Sequence, residues 1–237
     1  MEVLEVNRRQ VSVVFTYFLI IICGIAAVFG TSRAITVMSE SLPIQDRHCI
    51  IIDAGHGGTD GGAISCTGVS ESKINLEISL RLEDLFHLLG YQTKMIRRED
   101  ISIHIKGDTI AQKKVSDLKE RVRICNETEN GILISIHQNN FTDSRYSGVQ
   151  LFYGPGEDSK CLAQQMQSAF QAMEPGNHRE IKKAGGVYLM EHIECTGLLV
   201  ECGFLSNPEE EAKLRTADYQ RRLCCVIAAS VSNFLDG

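Results

Sequence analysis

The chain has 237 residues, with 24 Lys and Arg against 30 Asp and Glu and a formal net charge of −6. That length holds one ordinary domain with a tail and is enough to bury a sizeable core. The acidic balance excludes a nucleic-acid partner, because no basic patch is available to meet phosphates, and it gives no attraction to an anionic membrane surface.

Residues 1–9, with Arg8 and Arg9, read as a cytoplasmic N-terminus. Residues 10–32 carry no charge and are dense in Val, Ile, Leu and Phe. Such a run is long enough to span a bilayer as a helix. The arginines before it favour retention of the N-terminus in the cytoplasm, which puts the body outside. A cleaved signal peptide competes, since Ala26, Ala27 and Gly30 offer small residues, although the apolar run exceeds a usual signal core. We therefore expect a transmembrane anchor or signal segment over 10–32 and a polar linker with Pro43 over 33–47. The extracytoplasmic body spans 48–237. Nine cysteines are present, no C-x-x-C pair occurs, and Cys49, Cys125, Cys195, Cys202, Cys224 and Cys225 sit in apolar runs. They read as small buried hydrophobes rather than a disulfide framework or a metal site.

The body opens on Cys49-Ile50-Ile51-Ile52, a buried strand by its continuous apolar run. Asp53-Ala54-Gly55-His56-Gly57-Gly58-Thr59-Asp60-Gly61-Gly62 follows, with five glycines in ten residues. This is a loop in which backbone turns sharply or approaches something closely. It lacks the spacing of a nucleotide-binding loop. Ser70 is placed to cap a helix over 71–89, with Ile74, Ile78, Leu82, Leu85 and Leu89 at helical spacing and Gly90 ending the run. Tyr91 to Ile96 alternates as a strand, Arg97 to Asp100 is a charged exit, and residues 101–113 read as an exposed loop. Lys114 to Asn126 is helical, with Val115, Leu118, Val122 and Cys125 inward. Gly131 to Ile136 is a second buried strand, and it delivers His137. Gly148 to Tyr153 is a strand and Glu157 to Met173 a helix. Residues 185–189 suggest a turn into a strand. Gly197 to Val200 is a buried strand ending in Glu201, Pro208 to Leu214 a short helix, and Asp218 to Leu235 the closing helix. This alternation predicts an α/β three-layer sandwich, with a mainly parallel central sheet and helices on both faces.

Any one of His56, Glu71, His137 and Glu201 has a structural explanation. Glu71 alone is accounted for by the preference of acidic residues for helix N-termini. Jointly the four make a coherent chemistry. Two histidines at strand ends and one carboxylate match the ligand set of a catalytic zinc site with one position left open. A carboxylate at Glu201 would move the proton in metal-assisted amide hydrolysis.

Asp53-Ala54-Gly55-His56-Gly57-Gly58, Gly68-Val69-Ser70-Glu71-Ser72-Lys73-Ile74-Asn75-Leu76, Ser135-Ile136-His137 and Val200-Glu201-Cys202-Gly203-Phe204-Leu205-Ser206-Asn207 occur in this order. Together they resemble the zinc-dependent N-acetylmuramoyl-L-alanine amidases over about residues 49–235. The resemblance implies zinc ligation by His56, Glu71 and His137 and a catalytic role for Glu201. The implied reaction is cleavage of the amide between muramic acid and L-alanine of peptidoglycan. A lone catalytic domain behind a hydrophobic segment resembles the germination-specific branch of endospore formers. That branch implies action on the spore cortex, on the way to muramic-δ-lactam. Gln138 departs from the alanine that commonly follows the second histidine, and it is placed to narrow the site or contact substrate. No wall-binding repeats occur, so targeting falls to the anchor or to a regulatory or targeting protein partner. A zinc peptidase cutting within the stem peptide and a non-catalytic wall-binding protein are the competing readings. His48, His87, His104, His178 and His192 have no matching role. Arg179 and Lys182 read as solvated charge, with contact to an acidic stem peptide as the alternative.

Overall fold

A computed structural model of the chain describes residues 48–236. The expected cytoplasmic N-terminus, hydrophobic segment and linker lie outside the described residues. Among the described residues no helix is long and apolar enough to cross a membrane. The elements run β1 (Cys49–Ala54), α1 (Glu71–Leu88), β2 (Gln92–Met95), α2 (Ile110–Asn126), β3 (Gly131–Asn139) and β4 (Gln150–Tyr153). They continue as α3 (Glu157–Met173), β5 (Lys182–Lys183), α4 (Tyr188–His192), β6 (Thr196–Phe204), α5 (Pro208–Leu214) and α6 (Ala217–Asp236).

The strands form one sheet in the order β2-β1-β3-β6-β4-β5. All pairings are parallel except β4 with β6. No helix intervenes between β3 and β4, so the chain lacks the crossover that would return it in the parallel sense. Alternation along each central strand divides the core in two. Ile50, Ile52, Ile134, Ile136, Leu198 and Val200 join Ile78 of α1, Phe170 of α3 and Ile227 of α6 on one face. Ile51, Leu133 and Leu199 join Cys125 of α2 and Leu189 and Met190 of α4 on the other. Both faces of the sheet are thus covered, as apolar runs in parallel strands require. This is the three-layer α/β arrangement that the sequence predicts.

Three local expectations are corrected. The helix expected from Lys114 begins at Ile110, because Thr109 and Gln112 close a reciprocal capping box: the Thr109 side chain accepts from Gln112 N and Gln112 Oε1 from Thr109 N. Val115, expected inward, is 52% exposed. The face that α2 buries is polar, built of Ser116, Asp117, Arg121 and Cys125. The strand expected over 185–189 is instead the start of α4, and its neighbour β5 is only two residues long. The cysteines divide as well: Cys125, Cys202 and Cys224 are buried, but Cys49 and Cys195 are half-buried and Cys225 is exposed.

Candidate metal centre

The parallel strands β1, β3 and β6 end on one edge of the sheet, where ligands of open α/β sheets bind. Asp53, Ser135, His137, Leu199 and Glu201 alternate with the residues of the first core, so they project towards the α2 and α4 face. His137 and Glu201 are directly opposite one another in the β3–β6 register. The loop after β1 brings His56 to this edge, and the first residue of α1 brings Glu71.

One ligand atom each from His56, Glu71 and His137 lies within 4.8 Å of the others. His56 Nε2 is 3.3 Å from Glu71 Oε2, and His137 Nδ1 is 3.1 Å from Glu71 Oε1. These donors suit zinc in their chemistry, and they cluster closely enough to share one ion. The outer contacts fit as well. His56 Nδ1 faces Asp60 Oδ2 at 3.1 Å, and Lys114 Nζ approaches the same oxygen at 3.1 Å. A carboxylate on the far nitrogen fixes ring orientation and leaves the near nitrogen free to ligate.

Glu71 is held from several sides. Its Oε2 accepts from Ala63 N at 3.0 Å, and its Oε1 from Asn75 Nδ2 and Gln138 N, each at 3.1 Å. The dipole explanation for Glu71 is therefore incomplete, because its carboxylate turns back to the loop. Ser70 occupies the N-cap of α1, but its hydroxyl makes no cap hydrogen bond. Gln138 is also reassigned. It is 4% exposed, and its Nε2 donates to Asn75 Oδ1 at 3.1 Å, so it steadies the residue that steadies Glu71.

The glycines of the loop are required by contact. A Cβ on Gly55 would stand 2.3 Å from the His137 ring. A Cβ on Gly62, at φ +68°, would stand 2.5 Å from Glu71 Oε2 and 2.7 Å from His56 Cδ2. His56 itself has φ +62°, a left-handed conformation uncommon outside glycine. Gly62→Ala is expected to lower zinc affinity at least about tenfold, the scale of outer-contact losses at metal sites. Competition with a chromophoric chelator measures this, and unaltered affinity would refute the contact argument.

Two arginines hold the loop, and periodicity gave no sign of either. Arg97 belongs to the expected charged exit but is only 2% exposed. Its guanidinium donates to the carbonyls of Ala54, Gly55, Ser72 and Glu99 at 2.7–2.9 Å. Arg121 of α2 donates to Ala54 O at 3.0 Å and to His56 O at 2.7 Å. It also pairs with Asp53 and, at 2.6 Å, with Asp117. Asp53 further accepts from Ser135 Oγ at 2.6 Å.

The electrostatics separate the carboxyls. Burial opposes ionisation of Glu71, but His137 and His56 hold it far below the usual carboxylate range. Burial works to lower the His56 imidazole, yet Glu71 and Asp60 outweigh it and raise its pKa. Burial pushes Glu201 up to about 7; His137 and His56 pull against that shift and Glu71 adds to it. Glu201 Oε2 is buried and has no hydrogen-bond partner among the described residues. Two carboxyls within one electrostatic neighbourhood thus differ widely in proton affinity, the pattern of divided acid–base roles.

Two of the remaining histidines take structural places: His87 Nε2 meets Thr93 Oγ1 at 2.6 Å, and His192 stacks on Tyr188. Arg179 is not simply solvated, for its guanidinium lies over the rings of Tyr146 and Phe204.

Sheet and clustered donors define a class: an α/β domain able to hold a metal ion at the carboxyl edge of its strands. Residues 50–233 match the sequence profile of the N-acetylmuramoyl-L-alanine amidases, and the chain belongs to that family. It is 32% identical over 196 residues to the germination-specific N-acetylmuramoyl-L-alanine amidase of Bacillus subtilis, covering 82% of each chain. Among solved structures it resembles the CwlD amidase from Clostridioides difficile in complex with the GerS lipoprotein. The TM-score there is 0.76 at 35% identity, over 79% of this chain and 98% of that one. An N-acetylmuramoyl-L-alanine amidase from Clostridium difficile 630 matches with a TM-score of 0.71 and 27% identity, over 81% and 99%. The chain is accordingly an enzyme that acts on peptidoglycan.

Proposed function

We propose that the chain is a zinc-dependent amidase of the spore cortex. In this reading His56, Glu71 and His137 hold the metal and Glu201 is the catalytic residue. The single observation that carries it is the buried, unpartnered Glu201 Oε2 beside a donor set that already fits the ion. A bound zinc ion supplies a Lewis acid that polarises the amide carbonyl and makes water more acidic. Glu201 takes a proton from water as the water oxygen bonds to the lactyl carbonyl carbon. It returns that proton to the amide nitrogen as the carbon–nitrogen bond breaks. One water is consumed, a lactyl carboxylate is left on the glycan, and the stem peptide leaves with a free amine on L-alanine. A carboxyl with a pKa close to neutral suits both halves of that transfer.

The finer biology rests on the relatives. Likeness to the germination-specific amidase supports cortex peptidoglycan as substrate and a place before muramic-δ-lactam formation. Likeness to an amidase found in complex with a lipoprotein supports a regulatory or targeting protein partner for this chain too. The hydrophobic residues 10–32 would tether the catalytic domain, residues 48–237, at the outer face of the membrane. Incubating residues 34–237 with cortex peptidoglycan and zinc is expected to release stem peptides that begin at L-alanine, read by mass spectrometry. Chelation is expected to abolish release and re-added zinc to restore it. Fragments cut inside the stem would move the activity to a peptidase.

A further inference from the structure

A cavity of about 250 Å³ opens beside the metal centre, between α2 and the segment leading into α4. It lies on the sheet face towards which His137 and Glu201 project. His56 and His137 form one side of it, and Ile110, Leu118, Val187 and Tyr188 make the wall largely apolar. Three cations of α2 also line it, and they differ. Arg121 is paired with Asp53 and Asp117. Lys114 is neutralised by Asp60 at 3.1 Å. Lys113 is half-buried and forms no ion pair among the described residues. A lysine that lines the cavity outside any ion pair is a ready partner for a carboxylate.

Hydrolysis at this site divides a substrate with two unlike halves. The glycan half, made of N-acetylated sugars, is uncharged and densely hydroxylated. The peptide half carries small apolar side chains and free carboxylates. A largely apolar cavity with one cation outside any ion pair matches the second. We propose that this cavity receives the stem peptide, and that Lys113 pairs with the free carboxylate of the acidic residue that follows L-alanine. The inference rests on the amidase reading and specifies which half of the substrate enters the cavity. It also makes amidation of that carboxylate, a modification of the wall, a means of slowing the enzyme.

The test compares two glycan-linked substrates, one bearing L-alanyl-D-glutamate with its α-carboxylate free and one bearing the D-isoglutamine amide. The wild-type protein is expected to favour the free carboxylate by about five- to tenfold in kcat/KM, mostly through KM, as a ground-state ion pair does. Lys113→Gln brings the ratio close to one, Lys113→Arg keeps it, and zinc content is the same in all three. A wild-type ratio near one, or the wild-type ratio persisting in Lys113→Gln, overturns the proposal. Cleavage of neither substrate by the wild type overturns the amidase reading and this inference with it, a result distinct from a ratio of one.

Discussion

Glu201→Gln is expected to lower kcat for amide hydrolysis about 10³-fold, within the 10²–10⁴ range that a positioned acid–base group supplies. Zinc content should not change, because Glu201 is not among the clustered donors. The same substitution has a second signature in the chelated protein. Burial raises the native Glu201 carboxyl from 4.5 to about 7. Between those values the native state keeps a proton that the unfolded chain has released. The stability this group contributes is therefore complete below about pH 4.5 and is lost as pH rises through about 7. A separation of that size corresponds to roughly 3 kcal/mol by pH 8. Gln cannot ionise, so the chelated variant should gain on the wild type as pH rises from 5 to 8. The change in the difference carries the test, since desolvation of the amide is the same at both pH values. A variant with more than a tenth of wild-type kcat, or a stability difference flat across that range, would remove Glu201 from the role assigned to it.

Arg121→Met is the second large effect, and it acts on the fold. The guanidinium is buried and joins Asp53 and Asp117 to the carbonyls of Ala54 and His56. Without it two carboxylates in the interior lose their ion-pair partner. Breaking a buried ion pair by removing one partner costs about 3–5 kcal/mol. Burial alone would raise Asp53; Arg121 reverses this and keeps its carboxyl below the ordinary range. In the variant that carboxyl loses its counter-charge and is driven to take up a proton. Adding Asp53→Asn to Arg121→Met is then expected to recover a sizeable part of the loss, a coupling that denaturant melts of the four proteins in the cycle resolve. Arg121→Lys should fare poorly too, because an ammonium cannot fork to four acceptors. A loss under about 1 kcal/mol for Arg121→Met would show that the hub is dispensable.

The four residues of the proposed site could be singled out in the sequence because they stand at the ends of regular elements. The runs before His56, His137 and Glu201 are continuous and apolar, so strand ends could be placed and the residues beyond them inspected. The spacing of Ile74, Ile78 and Leu82 located the helix that starts at Glu71. What escaped was the set of residues that hold the ligands still. Arg97, Arg121 and Asp53 look like surface charge in one dimension, and only the folded chain brings a guanidinium within 2.7 Å of the Ala54 and His56 carbonyls. Gln138 was read as narrowing the site or contacting substrate because it departs from the alanine common at that position. A strand turns successive side chains to opposite faces, and the period of two predicts its actual place beside Asn75. Val115 failed for a related reason: the buried stripe of α2 is polar, so hydrophobic periodicity pointed to the wrong side. The Thr109–Gln112 capping box was the legible signal for that helix's start.

The strand order has a bearing on when the enzyme exists during its own synthesis. β6 joins β3 on one side to β4 on the other, yet it follows both in the chain. Until it is threaded between them, β2, β1 and β3 form one fragment and β4 and β5 another, and neither has a complete hydrophobic layer. The contacts that close the sheet span long stretches of chain, which places them late in folding. Glu201 sits on this last central strand. An emerging polypeptide can therefore present His56, Glu71 and His137 before it possesses Glu201, the proposed acid–base residue. On the proposed reading, hydrolysis has to wait for β6, and a wall-degrading activity is withheld from any nascent chain that ends before it.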